Sequence, residues 1–134
     1  MFGPIRGEWS GDWRGWWGPE PPFHAPVSVL THYQRDLLVM DGGTTFQFVT
    51  DGIEAAMEQA RAVAGDANNA IAGGASTVNQ YLAAGRLDEL RLHITPFTLG
   101  AGTRIFDGVP PLKLEQTSSR AATQVTHVTY RLLH

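Results

Sequence analysis

The sequence predicts an α/β fold, a mostly parallel sheet flanked by helices with a C-terminal antiparallel hairpin. Three observations predict it. Strand-like runs at 26–31, 44–49 and 70–72 alternate with helical patterns at 53–64 and 76–85, the order that builds a parallel sheet. A fourth strand-like stretch, 87–96, follows the second helical pattern. Two more runs, 112–117 and 124–132, come with no helix between them, as in a hairpin. The 134 residues are 43% hydrophobic and 17% charged, enough to bury one core, and a single domain is expected across the chain.

Residues 1–25 carry four tryptophans (Trp9, Trp13, Trp16, Trp17) among glycines and prolines, with neither helical nor strand periodicity. This reads as a long ordered loop. The segment reads either as a lid or a platform on which a flat ligand, a sugar or a base stacks, or as rings that cover an exposed core edge or a subunit contact; the second reading is favoured. PVSVLT at 26–31 places Val27, Val29 and Leu30 in a strand. Residues 33–43 are read as a polar connection that ends in the turn signal Asp41-Gly42-Gly43. TTFQFV at 44–49 is a second strand with Phe46 and Phe48 on one face.

Thr50-Asp51 is placed to cap a helix in which Ile53, Ala56, Met57, Ala60 and Ala64 recur at helical spacing, and Gly65-Asp66 closes it. Residues 70–72 read as a short central strand. Ala75 or Ser76 opens the next helix, with Val78, Tyr81 and Leu82 inward and Gly85 as its stop. In 87–96, Leu90, Leu92 and Ile94 alternate with Arg91, His93 and Thr95, a strand pattern. Residues 97–106 form a glycine-punctuated connection to the closing hairpin.

Charge and composition exclude several function classes. The net charge is -3, with a single lysine, Lys113, so nothing favours nucleic-acid binding. No apolar run approaches the roughly 20 residues that span a bilayer, and residues 1–9 lack a signal-peptide pattern; a cytoplasmic protein without a membrane partner is expected. The absence of cysteine rules out thiol catalysis and cysteine-ligated metal. The five histidines form no HExxH or other close pair along the chain, and no metal site is expected.

Two places carry candidate chemistry. At Gly73-Gly74-Ala75-Ser76-Thr77 a strand-like run ends in two glycines and a helix begins. Glycine permits close approach of a ligand, the first helical N–H groups face outward, and the dipole adds roughly 0.3–1 kcal/mol for a nearby anion. Two adjacent glycines also make a plain turn, and the residues alone leave both readings open. Thr31-His32 lies at the carboxyl end of the 26–31 strand, where α/β sheets bind ligands. A hydroxyl and an imidazole there suit a phosphate, or are ordinary turn residues. Two phosphate subsites in one crevice would describe a dinucleotide. Asp88 and Glu89 start a strand that points them to opposite faces, so they do not form an acid–base pair, and no catalytic residue is named.

The ordered segments VSVLTH (27–32), GGTTFQFVTDGIEAAMEQA (42–60), AIAGGASTVNQYLAAGRLDELRLHITP (70–96), LGAGTRIF (99–106) and THVTYRL (126–132) resemble one family. It is the dihydrofolate-reductase-like group related to the C-terminal reductase domain of the bifunctional riboflavin-biosynthesis deaminase–reductase. The resemblance implies a dihydrofolate-reductase-like sheet, NADPH as hydride donor and a small-molecule substrate with a pyrimidine- or pterin-like ring. By resemblance, Thr31 and His32 match the segment beside the adenosine 2′-phosphate, and Gly73, Gly74, Ala75, Ser76 and Thr77 match the turn around the pyrophosphate. The riboflavin-pathway relatives reduce the ribose of 5-amino-6-(5-phosphoribosylamino)uracil to a ribityl chain. Members of the group begin with a strand and a helix ahead of the segment matching residues 1–9, and this chain is expected to lack both. A sheet without that strand exposes unpaired edges, which predicts a homodimer, or a non-catalytic remnant that binds nucleotide or self-associates.

Overall fold

The computed structural model describes residues 2–3 and 12–134. Trp9 and most of the segment at 1–9 lie outside the described residues. The chain divides into two compact units, Met1–Ala72 and Gly73–His134, each with its own sheet.

In the first unit, β1 (Pro26–Leu30) pairs in parallel with β3 (Thr45–Val49), and β2 (Leu38–Val39) pairs antiparallel with β3, giving the order β1-β3-β2. A 3₁₀ turn at Asp41–Gly43 reverses the chain between β2 and β3. Helix α1 (Gly52–Ala64) follows and packs on β1 and β3. Its buried residues, Ala56 and Met57, belong to the apolar stripe visible in the sequence. Asp51 occupies the N-cap position yet makes no side-chain capping bond, and Gly65 ends the helix with its N–H on the Arg61 carbonyl at 3.0 Å.

The core of this unit is aromatic. Phe46 is wholly buried, with the rings of Phe2, Trp17 and Phe23 centred 4.9, 5.7 and 6.3 Å away. Each such pair contributes about 0.5–1.5 kcal/mol beyond its buried area. Trp13 and Trp17 pack against this cluster, and the Trp13 indole donates to the Phe2 carbonyl at 3.0 Å. The tryptophan-rich loop therefore covers a core edge; Trp16 alone of the described tryptophans is largely exposed, edge-on to Trp13. The buried Thr44 ties this loop to the sheet. Its hydroxyl donates to the Pro21 carbonyl at 3.1 Å and accepts from the His24 N–H at 2.9 Å.

In the second unit, α2 (Ala75–Ala83) is followed by β4 (Glu89–Ile94), β5 (Lys113–Ala122) and β6 (Val125–Leu133), with strand order β4-β6-β5 and both pairings antiparallel. Leu82, Leu90 and Leu132 form the core, with Val78, Leu92 and Tyr130 against it. The expected C-terminal hairpin is present as β5–β6, but β5 runs five residues past 117. Its Ser118, Ser119, Arg120, Ala121 and Ala122 lack apolar alternation. They are held by the register with β6 and by a tight turn at residues 123–124.

Three expectations are corrected. The fold is mixed α/β, but the strands form two three-stranded sheets in place of one mostly parallel sheet, and β1–β3 is the one parallel pairing among the described residues. Parallel neighbours need a long crossover, whereas a two-residue link leaves β5 and β6 only the antiparallel arrangement. Residues 70–72, expected as a central strand, pair with no strand among the described residues. Cross-strand side-chain pairs stabilise a ladder, and two alanines in a three-residue run bring little surface to such pairs. The 33–43 segment, read as polar up to the turn at Asp41-Gly42-Gly43, contains β2, because it carries the apolar run Leu37 to Met40, in which Leu38 and Met40 alternate inward and are buried.

Candidate functional site

Gly74 is the N-cap residue of α2 and makes no side-chain capping bond. Its carbonyl accepts from the Thr77 and Val78 N–H groups at 3.0 and 3.1 Å. The amides of Gly74, Ala75 and Ser76 thus precede the first intrahelical bond, as helix geometry requires. Gly73 has φ +115°, a backbone region that L side chains rarely adopt, and the Gly73–Gly74 peptide is cis. A Cβ placed on Gly74 would meet no atom within 4 Å, so the space above the helix start is open.

Beside this helix start lies a cleft of about 940 Å³. Ser76, Asn79 and Gln80 of α2 form one wall, and the loop 99–104 with Asp107 forms the other. The spacing of Ser76, Asn79 and Gln80 puts them on one helix face. Asn79 fixes the two walls together. Its side-chain amide donates to the Ile105 carbonyl at 3.3 Å and, at a short distance, to the Asp107 carbonyl. The loop carries Gly100 (φ +72°) and Gly102 (φ +144°), conformations suited to glycine, and presents the exposed guanidinium of Arg104. Outward helical amides, the hydroxyls of Ser76 and Thr103 and an arginine form a donor set that suits a phosphate ester. Asp107 brings a carboxylate to the far side of the same cleft.

Of the seven residues singled out in the sequence, Ser76 lines this cleft, and Gly73, Gly74, Ala75 and Thr77 form the helix start next to it. Thr31 and His32 belong to the first unit and follow the carboxyl end of β1. There the Thr31 N–H bonds the Val49 carbonyl at 3.1 Å, and its hydroxyl accepts from the Tyr33 N–H at 3.2 Å, a local turn. His32 is exposed. The sequence reading missed Asn79, Gln80 and Arg104. The helical spacing from Ser76 could have found the first two; Arg104 joins them only through bonds between residues 26 and 28 apart in the chain.

Electrostatic perturbation lies elsewhere in the second unit, on the exposed face of its sheet. His127 is held below its ordinary value of 6.5 by partial desolvation first, then by the Arg120 charge and by His93. No group of three or more His, Asp or Glu side chains among the described residues could hold a metal ion. No helix among them is long and apolar enough to cross a membrane.

A comparison with curated proteins finds no match. The family model of the RibD C-terminal domain matches residues 2–128, which covers the aromatic core of the first unit, the α2 cleft and the start of the last strand. The chain therefore belongs to the RibD C-terminal domain family, the reductase domain of the riboflavin-biosynthesis deaminase–reductase.

Proposed function

We propose that this protein is an NADPH-dependent reductase acting on a small molecule with a pyrimidine- or pterin-like ring, as in the reduction of 5-amino-6-(5-phosphoribosylamino)uracil. The observation that carries the reading is the cleft at the N-terminus of α2, where a helix start with no side-chain cap faces a glycine-rich loop bearing Arg104. The residues fit the cofactor's pyrophosphate. Gly73, Gly74, Ala75 and Ser76 offer backbone N–H groups, Ser76 and Thr77 offer hydroxyls, Gly74 leaves room for close approach, and Arg104 supplies a charge-assisted donor. Thr31 and His32 are the proposed contacts of the adenosine 2′-phosphate. When bound, the nicotinamide supplies the hydride. The chain's own part is binding and orientation, which for two rings held face to face can account for much of the barrier lowering.

Fluorescence titration of NADPH tests this reading. Gly74→Asp places a carboxylate where the pyrophosphate is proposed to lie and is expected to weaken binding more than about tenfold, since a like-charge juxtaposition costs several kcal/mol. Unchanged affinity in that variant removes the pyrophosphate assignment. His32→Ala is expected to lower NADPH affinity while leaving NADH affinity unchanged; an equal loss for both would take His32 away from the 2′-phosphate.

A second reading is self-association, with a homodimer as its simplest form. It is favoured by the outer edges of β1 and β4, which pair with no strand among the described residues. Sedimentation equilibrium decides it: a dimer mass supports the reading, and a monodisperse monomer at high micromolar concentration ends it.

A further inference from the structure

On the exposed face of the second sheet, β4, β6 and β5 align His93, His127 and Arg120 in one row. His93 and His127 are direct cross-strand partners. Their Nδ1 atoms lie 2.7 Å apart, with the rings edge to face at 78° and their centroids 4.8 Å apart. Only one proton fits between two such nitrogens, so one imidazole donates and the other presents a lone pair. Carrying that proton on the donor ring's own Nε2, the other neutral tautomer, leaves a lone pair on each Nδ1.

We propose that His93 and His127 chelate a divalent transition-metal ion through their Nδ1 atoms. Metal–imidazole bonds of about 2.0–2.1 Å set the required spacing. Two cis ligands at right angles stand about 2.9 Å apart, and two tetrahedral ligands about 3.3 Å. The present 2.7 Å is nearer the first, so the pair suits tetragonal Cu(II) or Ni(II) better than tetrahedral Zn(II). Water completes the shell, because the carboxylates on this face are engaged. Glu115 pairs with Arg131 at 2.9 Å and Glu89 pairs with Arg91. Arg120, opposite His127, opposes a cation and lowers the affinity. The assignment rests on the strand register and does not depend on the reductase reading.

The test uses the full chain, stripped with chelator and titrated with NiCl₂, CuCl₂ and ZnCl₂ by calorimetry in a non-coordinating buffer. One equivalent of Cu(II) or Ni(II) is expected to bind more tightly than Zn(II). His93→Ala and His127→Ala should each weaken binding about tenfold or more, whereas His134→Ala should leave it unchanged. Arg120→Gln should tighten it several-fold. In the unmodified chain, Ni(II) should perturb the His93 and His127 ring resonances before those of His24, His32 and His134, a readout independent of whether the variants fold. No binding at millimolar metal, full affinity in both alanine variants, or first perturbation of another histidine overturns the proposal.

Discussion

Asn79 of α2 donates to the Ile105 carbonyl at 3.3 Å and also to the Asp107 carbonyl, so one amide holds the far wall of the cleft to the helix. Asn79→Ala leaves both carbonyls without this donor. A net hydrogen bond is worth about 0.5–1.5 kcal/mol, so the variant is expected to lose about that much stability. If the cleft holds the cofactor, NADPH affinity falls as well because the loop is no longer preorganised. Urea denaturation and a cofactor titration on the same sample check both effects. An unchanged affinity would separate the 99–104 loop from binding.

Gly73 and Gly74 are adjacent but not equivalent. Gly73 has φ +115°, where a side chain is strained, while Gly74 has φ -71° and open space around a Cβ. Gly73→Ala is expected to cost about 1–3 kcal/mol, and Gly74→Ala less than about 1 kcal/mol. Thermal melts of the two variants compare them directly; equal losses would contradict this backbone assignment.

Thr44 binds the tryptophan-rich loop to the first sheet through a wholly buried hydroxyl. Thr44→Val keeps the shape and removes the hydroxyl. The Pro21 carbonyl and the His24 amide then lose their partner, at a cost of about 1–3 kcal/mol. Trp17, stacked on Phe46, reports the loosening. The expected outcome is a lower urea midpoint followed by tryptophan emission, with Thr44→Ser retaining most of the stability.

The lowered pKa of His127 makes folding pH-dependent. Its folded value lies below 6.5, so in acid the unfolded chain takes up the proton first. This residue therefore costs no stability above pH 6.5, and stability falls as the pH drops from 6.5 through the lower folded value. Arg120→Gln removes the second-largest cause and should move the midpoint upward and lessen the acid loss. An NMR titration of the His127 ring in chelator between about pH 5 and 8 measures the shift. A midpoint at or above 6.5 would contradict it.

Much of each unit was legible along the chain. The alternation of Val27, Val29, Phe46 and Phe48, and the helical spacing of Ala56, Met57, Tyr81 and Leu82, are local consequences of periods of two and 3.6 residues. They place β1, β3, α1 and α2 within a residue or two. The glycine-to-helix turn at Gly73 to Thr77 was legible for the same reason, since caps and turns are chosen by neighbouring residues. The ordered family segments further fixed the RibD C-terminal domain relationship.

Tertiary structure decided what depends on partners distant in sequence. Whether residues 70–72 join a sheet depends on a neighbouring strand, and none pairs with them among the described residues. Arg104 enters the α2 cleft because Asn79 binds carbonyls 26 and 28 residues away. His93 and His127, 34 residues apart, look unrelated in the sequence and become a 2.7 Å pair only through the β4–β6 register. Periodicity is a property of the local chain and can be read from it; pairing is a choice among many chain segments, and it is made by packing and register.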